Sequence, residues 1–380
     1  MTGGVPVSTP IDGPRLFAPT DLRDLKLANR IVVSPMGQHS AEDGYLNDWH
    51  LAHLGQLSVS GAGLLITEAV AVEPRGRISP GCLGLWSDTQ INGYQRLIEF
   101  SRRYGATRMG IQLGHSGRKG SVSQSWFGQK SLTEDAGGWE ILSASRIAYP
   151  GRKEPTPINH EGMAAVTADF CAAARRAHEA GFDLIEIHAA HGYLIHSFLS
   201  PLLNQRDDAY GGTLENRMRF PLQIFRAVRE AWPAGKPIGV RVSATDWIEG
   251  GWALEDTIVF ARALKAMGCD YICASTGGVG PEQDIPVGPL YQAPFAAAIR
   301  REVDIATMAV GLITEPEQAE QVLTEGMADF VALGRAMLYN PRWPWHAAEQ
   351  LGGQTFYPVQ YDRAHPSMRR NNAFVVYRDR

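Results

Sequence analysis

Cysteine is scarce in this chain, and long apolar runs are missing from it. The cysteines of its 380 residues are Cys82, Cys171, Cys269 and Cys273. They are too few and too scattered for a disulfide framework, so we expect a protein of the reducing cytoplasm. No segment approaches the ~20 consecutive apolar residues of a membrane helix, and residues 1–14 lack the apolar core of a signal peptide. We therefore expect no contact with a membrane.

The chain also lacks an excess of charge of one sign. It has 36 Lys and Arg against 40 Asp and Glu, for a formal net charge of −4. A nucleic acid or an anionic lipid surface is normally met by a basic face, so neither is expected as a partner. What the chain does have is 44% hydrophobic residues, enough for a large globular core.

Short apolar segments alternate with amphipathic ones along most of the chain. The strand candidates cover residues 31–34, 63–68, 109–113, 184–188, 238–242, 271–274, 306–310 and 330–333. Helical periodicity is visible over 167–180, 217–232, 254–267 and 315–325, each followed by Gly or Pro. Eight strands with helices between them predict an α/β protein with a (β/α)₈ TIM barrel. An open doubly wound sheet is less favoured, because the first strand is not followed by Gly-x-Gly-x-x-Gly.

A typical barrel of this type needs ~250 residues, so the chain must carry additions. We expect a flexible N-terminus at 1–14, a barrel over 15–345 and a tail over 346–380. The largest insertion, 115–161, follows the third strand and is expected to act as a lid or capping element over the active face. The tail is aromatic and basic without a helical period, so we expect it to dock, at a subunit interface.

Polar residues gather where the predicted strands end, which is where barrel enzymes place their reacting groups. His188, His191 and Tyr193 lie within six residues at the end of the fourth strand. Two imidazoles and a phenol suit a site that polarises a carbonyl oxygen and delivers a proton. The alternative is a metal site, in which the His-x-x-His pair and Glu186 bind zinc for hydrolysis or lyase chemistry. For Cys269 and Cys273, packing in the core is favoured over metal binding.

Three further positions suggest an anionic ligand. Gly311 and Gly334-Arg335 follow the seventh and eighth strands, where barrels commonly bind phosphate, although simple turns would explain them too. Arg241 lies in the middle of an apolar strand and needs an anionic partner, either a structural carboxylate or a reduced flavin. Gln112 offers a donor and an acceptor to a pyrimidine-like edge.

Several longer motifs resemble one enzyme family. They are Leu16-Phe17-Ala18-Pro19, Ser34-Pro35-Met36, Gly84-Leu85-Trp86-Ser87-Asp88, Gly117-Arg118-Lys119, His188-Ala189-Ala190-His191-Gly192-Tyr193 and Asp208-Ala209-Tyr210-Gly211-Gly212. Together they resemble the old yellow enzyme family of FMN-dependent ene-reductases, in particular its thermophilic-like bacterial branch. The resemblance covers residues 16–365. It implies an NADPH dehydrogenase that uses NADPH or NADH to reduce electron-poor alkenes such as α,β-unsaturated carbonyls and nitroalkenes.

The resemblance also implies roles for single residues. Those expected to contact the flavin are Ser34, Pro35, Met36, Gly37, Ala69, Gln112, Arg241, Gly311, Gly334 and Arg335, the last three at the phosphate. His188 and His191 are expected to hold the substrate oxygen, His39 to face the substrate, and Tyr193 to donate the proton. No metal is expected. In this branch a tail arginine enters the neighbouring subunit's site, so Arg363 is the candidate and a homodimer or homotetramer is expected.

Two positions depart from the branch. Gly37 stands where it usually has Cys, and His39 stands where it usually has Tyr. Loss of the sulfur is expected to shift the flavin potential and to open space for bulkier substrates. A histidine here is expected to change its charge near neutral pH.

Overall fold

A computed structural model describes residues 13–366, in which the predicted strands close into a barrel. The strands are β1 Thr20–Leu22, β2 Leu25–Leu27, β3 Ile31–Val33, β4 Leu64–Ala71, β5 Arg108–Gly114, β6 Leu142–Ser143, β7 Thr156–Pro157, β8 Leu184–Ala189, β9 Ile238–Ser243, β10 Tyr271–Ser275, β11 Ala306–Val310 and β12 Phe330–Leu333. The barrel contains β3, β4, β5, β8, β9, β10, β11 and β12 in that order. All of its pairings are parallel, and β12 pairs with β3 to close it. The (β/α)₈ prediction is confirmed.

The helices cover the outside of this barrel. They are α1 Asp48–Ser58, α2 Ile91–Tyr104, α3 His160–Ala180, α4 Leu194–Leu199, α5 Leu214–Ala231, α6 Leu254–Ala266, α7 Ala293–Val303, α8 Pro316–Thr324, α9 Arg335–Tyr339 and α10 Trp343–Leu351. Helix α3 begins seven residues before the predicted start at 167, because the Asn159 side chain caps it by accepting from the Gly162 N–H. Its early turns bury Met163 and Val166. Within residues 13–366, no helix combines the length and apolarity needed to cross a bilayer.

Apolar side chains on both faces of the strands build two core layers. One layer lies between the strands and the surrounding helices. The other fills the barrel interior, where Val32, Leu64 and Phe330 pack together. The antiparallel hairpin of β1 and β2 adds Leu22 and Leu27 to this interior layer and so covers the end of the barrel where its strands begin. The hairpin leaves the opposite end, where the strands finish, uncovered.

The insertion after β5 lies at that opposite end. It consists of short 3₁₀ turns and the small parallel pair of β6 and β7. Arg118 holds it in place by donating to the Ala148 carbonyl at 3.0 Å and to the Val279 carbonyl. The Trp139 indole N–H donates to the Arg75 carbonyl at 3.0 Å. The insertion therefore borders the open end of the barrel on its β4 and β10 sides.

The tail does not follow the prediction in one respect. The expectation of no helical period after Trp345 is wrong, because α10 runs across the expected start of the tail at 346. Its buried face is made mainly of Ala347 and Ala348, which leave little apolar periodicity in the sequence. Beyond it the chain docks on its own barrel: Tyr357 stacks on Trp345 with ring centroids 4.4 Å apart. Residues 1–12 and 367–380 lie outside the described part, as does most of the expected flexible N-terminus.

The barrel interior provides a test of the packing. Gly239 on β9 pairs with Tyr271 on β10, and a Cβ at Gly239 would stand 2.2 Å from a carbon of the buried Tyr271 ring. We expect Gly239→Ala to lower the free energy of unfolding by about 1–3 kcal/mol, the usual cost of overpacking a core. Urea denaturation measures it. Gly288→Ala is the control, because a Cβ there meets nothing within 4 Å. Equal stability of the two variants would contradict this packing.

Candidate active site

Two adjoining cavities open at the carboxyl end of the barrel strands. They enclose about 550 and 770 Å³ of empty space, and both are bordered by Pro35 and Arg241. The first, which we call the histidine cavity, is lined by Pro35, Gly37, His39, Glu68, Ala69, Ile78, Cys82, Gln112, His188, His191, Tyr193 and Arg241. The second, which we call the glycine cavity, is lined on its sides by Ser34, Met36, Ser275, Gln292, Gly311, Gly334 and Arg335, among others. The structure thus brings together every predicted site residue except Arg363.

A layer of polar side chains crosses the barrel beneath these cavities. Register places Gln112 beside Glu186 and Arg241 beside His188. Glu186 accepts from the Gln112 amide at 2.7 Å and from the Tyr271 hydroxyl at 3.2 Å. Burial raises the pKa of Glu186, and the nearby Arg241 opposes that rise. Glu186 is therefore held by barrel side chains, not by the histidine pair. No group of three or more metal-ligating side chains occurs in residues 13–366, which leaves the metal alternative without support.

Arg241 has unused hydrogen-bonding capacity. One of its terminal nitrogens donates to the Ser34 hydroxyl at 3.0 Å, whereas its buried Nε has no partner. A buried donor without an acceptor is uncommon and points to a ligand. The Gln112 amide has given one hydrogen to Glu186 and keeps the other for a ligand. These donors fit the acceptor-rich edge of a flavin.

At Gly311 the backbone of the glycine cavity leaves no room for a side chain. Gly311 has φ +126°, and a Cβ on it would stand 2.7 Å from the Gln292 side-chain nitrogen. Gly334 faces Met36, and Arg335 is exposed at the start of α9. Close approach of a ligand to main-chain N–H groups requires such a cradle, and an arginine beside it suits a phosphate. The cavity therefore fits the phosphate end of FMN.

His188 and His191 face one another at the mouth. His188 ends β8, and its Nε2 lies 3.2 Å from His191 Nδ1. Burial lowers the pKa of both imidazoles well below the usual value, and the positive charge of Arg241 adds to the effect. Both rings are therefore neutral hydrogen-bonding groups. The Tyr193 ring lies 4.9 Å from the His188 ring, and burial raises the Tyr193 pKa to about 12, so the phenol keeps its proton.

The turn that carries this group is held from both sides. His191 has a left-handed backbone with φ +61° and Gly192 follows with φ +72°. The Ser243 hydroxyl accepts from the His191 N–H at 2.9 Å, and Lys119 Nζ donates to the His191 carbonyl at 2.9 Å. The Gly192 N–H donates to His196 Nδ1 at 2.8 Å. Burial lowers the pKa of Lys119 to about 7. These bonds fix the direction in which the His191 ring leaves the backbone.

The structure corrects one expectation about the unusual Gly37 and His39 and qualifies another. A Cβ on Gly37 would stand 3.6 Å from His39 Nε2, so the imidazole borders part of the space that we expected to be open. His39 Nδ1 lies 2.7 Å from the Ser79 hydroxyl. Burial lowers the His39 pKa, although Glu68 opposes the effect. The lowered pKa moves the change of charge of His39 away from pH 7 and favours the neutral ring there.

Sequence reasoning missed several lining residues. A register shift in β4 between Ile66 and Ala69 lies beside Glu68, which borders the histidine cavity and accepts from the Gln38 N–H. Glu68 was detectable, because it ends the predicted strand 63–68 as a charged residue after an apolar run, whereas the bulge beside it was not. Ser275 was detectable, because it ends the sixth barrel strand as a polar residue after an apolar run. Arg363 is exposed in the tail and borders neither cavity of its own chain.

Comparison with known proteins agrees with this geometry. Residues 15–354 match the model of the NADH:flavin oxidoreductase / NADH oxidase family. The NADPH dehydrogenase of Listeria monocytogenes serotype 4a (strain HCC23) is 47% identical over 356 residues, covering 92% of this chain and 99% of that protein. That of Geobacillus sp. (strain WCH70) is 44% identical over 351 residues, covering 92% and 98%.

A solved structure shows the same architecture. Morphinone reductase in complex with tetrahydroNAD superposes with a TM-score of 0.74 at 26% identity, covering 91% of this chain and 93% of that one. The family match and the curated relatives together span nearly all of the described barrel. The chain belongs to the NADH:flavin oxidoreductase / NADH oxidase family, and it is a flavin-dependent oxidoreductase of the old yellow enzyme type.

Proposed function

We propose that this enzyme reduces the carbon–carbon double bond of α,β-unsaturated carbonyls or nitroalkenes, with FMN as its bound cofactor and NADPH or NADH as the electron donor. One observation carries the proposal. Two neutral imidazoles and a protonated phenol line the same cavity as Arg241, whose buried Nε has no partner. The names of the relatives, NADPH dehydrogenase and morphinone reductase, agree with a nicotinamide-driven reduction.

The lining of the two cavities supports a set of proposed cofactor contacts. The isoalloxazine end would lie against the backbone of Ser34, Pro35, Met36, Gly37 and Ala69, with Gln112 at its pyrimidine edge and Arg241 beside N1. The phosphate would lie at Gly311, Gly334 and Arg335. Bound FMN supplies the hydride chemistry, which no side chain of this chain can perform. Arg241 would hold the N1 side of the bound cofactor and offset negative charge there, because its Nε and positive charge are available in a buried position.

The histidine pair would bind the oxygen of the substrate. Addition of a hydride to the β-carbon leaves negative charge on that oxygen, and N–H donors in a buried site stabilise such charge strongly. His188 and His191 are placed to supply these donors, and His39 would contact the rest of the substrate. Tyr193 would complete the reaction by giving its proton to the α-carbon. The alkene thus gains one hydride and one proton.

The additions to the barrel would complete the site. We assign residues 115–161 as a lid, because Trp126 of this insertion meets the His39 ring edge-on at 6.3 Å. We further propose a homodimer or homotetramer in which Arg363 enters the partner's histidine cavity, since Arg363 is exposed and borders neither cavity of its own subunit. The four cysteines are unpaired, which favours the reducing cytoplasm.

Arg241 should determine how tightly FMN is held. We expect Arg241→Met to weaken FMN binding about 10- to 100-fold, because a charge-assisted hydrogen bond contributes roughly 1.5–3 kcal/mol. Fluorescence titration of the apoprotein with FMN measures the affinity. Arg217→Met is the matched control: Arg217 is also buried with an unpaired Nε, but it donates to the Leu199 carbonyl, away from both cavities. Unchanged affinity in the Arg241 variant would refute this contact.

Tyr193 should act only when a carbon atom is protonated. We expect Tyr193→Phe to slow cyclohexenone reduction about 10²- to 10⁴-fold, the usual contribution of a general acid. Consumption of NADPH with oxygen as the acceptor should stay near wild type, because no carbon is protonated there. Tyr149→Phe is the control for loss of a nearby phenol, since Tyr149 contacts Lys119 but does not border the histidine cavity. Equal losses with both acceptors would assign Tyr193 another role.

Complementation tests whether Arg363 acts on the neighbouring subunit. Tyr193→Phe and Arg363→Ala chains, co-expressed with different affinity tags, yield heterodimers after two purification steps. If Arg363 acts across the interface, each heterodimer contains one complete site, and roughly half of the native activity returns. If Arg363 acts within its own chain, no complete site forms and activity stays at the level of the single variants. A monomeric mass in light scattering would also refute the arrangement.

A further inference from the structure

A chain of hydrogen bonds connects the histidine pair to the glycine cavity. It begins where the Ala190 N–H donates to His188 Nδ1 at 3.2 Å. His188 Nε2 meets His191 Nδ1 at 3.2 Å, and His191 Nε2 meets the Ser275 hydroxyl at 2.7 Å. The Ser275 oxygen in turn lies 3.4 Å from the side-chain oxygen of Gln292. Three barrel segments, the ends of β8 and β10 and the start of α7, are linked in this way.

Both ends of the chain have a fixed direction. The Ala190 N–H can only donate, so the proton of neutral His188 resides on Nε2, which faces His191. At the other end the Gln292 nitrogen donates to the Val310 carbonyl at 2.8 Å, and its oxygen accepts from the Thr276 hydroxyl at 2.7 Å. The Gln292 oxygen is therefore an acceptor for Ser275. Every bond then points from His188 towards Gln292, which places the proton of His191 on Nε2.

With the hydrogen bonds in this direction, the two imidazoles cannot both donate to a substrate oxygen. With its proton on Nε2, His191 has a lone pair at Nδ1. That lone pair already accepts a hydrogen bond from the Nε2–H of His188. A substrate oxygen would meet one donor and one acceptor. Two donors require the other tautomer of His191, with the proton on Nδ1 and the lone pair on Nε2. That lone pair must then accept a hydrogen bond, and Ser275 is the hydroxyl that lies 2.7 Å away.

Two other ways in which both imidazoles could donate to a substrate oxygen are disfavoured. Burial and the positive charges of Arg241 and Lys119 lower the pKa of His191, which disfavours a doubly protonated ring. The backbone of His191 is held on one side by Ser243 and on the other by Lys119. Reversing the ring would also break the 2.7 Å contact with Ser275. A change of tautomer leaves all of these contacts in place.

We propose that Ser275 is a positioning residue that selects the substrate-binding tautomer of His191. In the resting site its hydroxyl donates to Gln292 and accepts from His191. When a substrate oxygen enters, the hydroxyl turns, donates to His191 Nε2 and leaves the His191 proton on Nδ1. One proton leaves Nε2 and one arrives at Nδ1 through water in the cavity, so the net charge is unchanged. The inference rests on the proposed function, since it concerns the same oxygen-binding pair.

Nitrogen-15 spectra of histidine-labelled, FMN-loaded enzyme test this directly, because the two tautomers have distinct ring-nitrogen shifts. Cyclohexanone is the probe, since it carries a carbonyl oxygen but no double bond to reduce. His191→Gln identifies the His191 signals among the 11 histidines. We expect wild-type His191 to carry its proton on Nε2 alone and on Nδ1 with cyclohexanone. In Ser275→Ala it should stay on Nε2 in both conditions.

Kinetics should follow the spectra. In Ser275→Ala we expect the KM for cyclohexenone to rise about tenfold, the effect of one hydrogen bond. Because Ser275 also borders the glycine cavity, the activity of each variant is expressed per bound FMN. Ser275→Thr should restore both the KM and the tautomer change. Ser58→Ala is the matched control, because its hydroxyl is also buried but donates to the Gly55 carbonyl on α1 and borders neither cavity.

Two results would overturn the role of Ser275. One is that His191 of the wild-type enzyme keeps its proton on Nε2 when cyclohexanone is bound. This measurement uses the wild-type enzyme alone. The other is a tautomer change in Ser275→Ala equal to that in wild type. In both cases the enzyme would still reduce cyclohexenone. Failure of the proposed function looks different: cyclohexenone is not reduced, and cyclohexanone shifts no signal of His188 or His191.

Discussion

A guanidinium inside an apolar barrel is the constraint on which the rest of the site depends. Arg241 stands on β9 between Val240 and Val242, whose side chains pack into the core between strands and helices. A cation in such a place needs oxygen atoms around it. Ser34 supplies one, and the layer containing Glu186 provides the nearest negative charge. The buried Nε of Arg241 has no hydrogen-bond partner in the protein, and a bound flavin would accept from it.

The same cation explains why the site works with neutral groups. Together with burial it lowers the pKa of His188 and His191, so in the proposed function they would bind a substrate oxygen by hydrogen bonds and not as imidazolium ions. Neutral imidazoles have two tautomers, and the direction of their N–H groups then depends on neighbours. Positioning residues outside the cavity surface, such as Ser243, become as important to the site as the residues that touch a ligand.

The fold could be predicted from the sequence because each barrel strand is a short apolar run, and each is separated from the next by a helix or an insertion. The site could be predicted in outline because barrel strands end on one face, which brings His188, Arg241 and Gly311 together from distant segments. What the sequence did not reveal depends on three-dimensional context. The start of α3 is decided by a cap at Asn159, α10 buries only alanines beyond Trp345, and the neutrality of His39 follows from its burial. Ser275 could have been predicted as a site residue, because it is a polar residue at the end of a barrel strand, as His188 is.

The hairpin beneath the barrel has a kinetic consequence. Because Leu22 and Leu27 fill the far end, reductant and oxidant would both approach the proposed flavin site from the end where the strands finish and would share its surface. A shared surface would give double-displacement kinetics, in which the oxidised nicotinamide leaves before the alkene binds. Each of the two, in excess, then becomes a competitive inhibitor of the other.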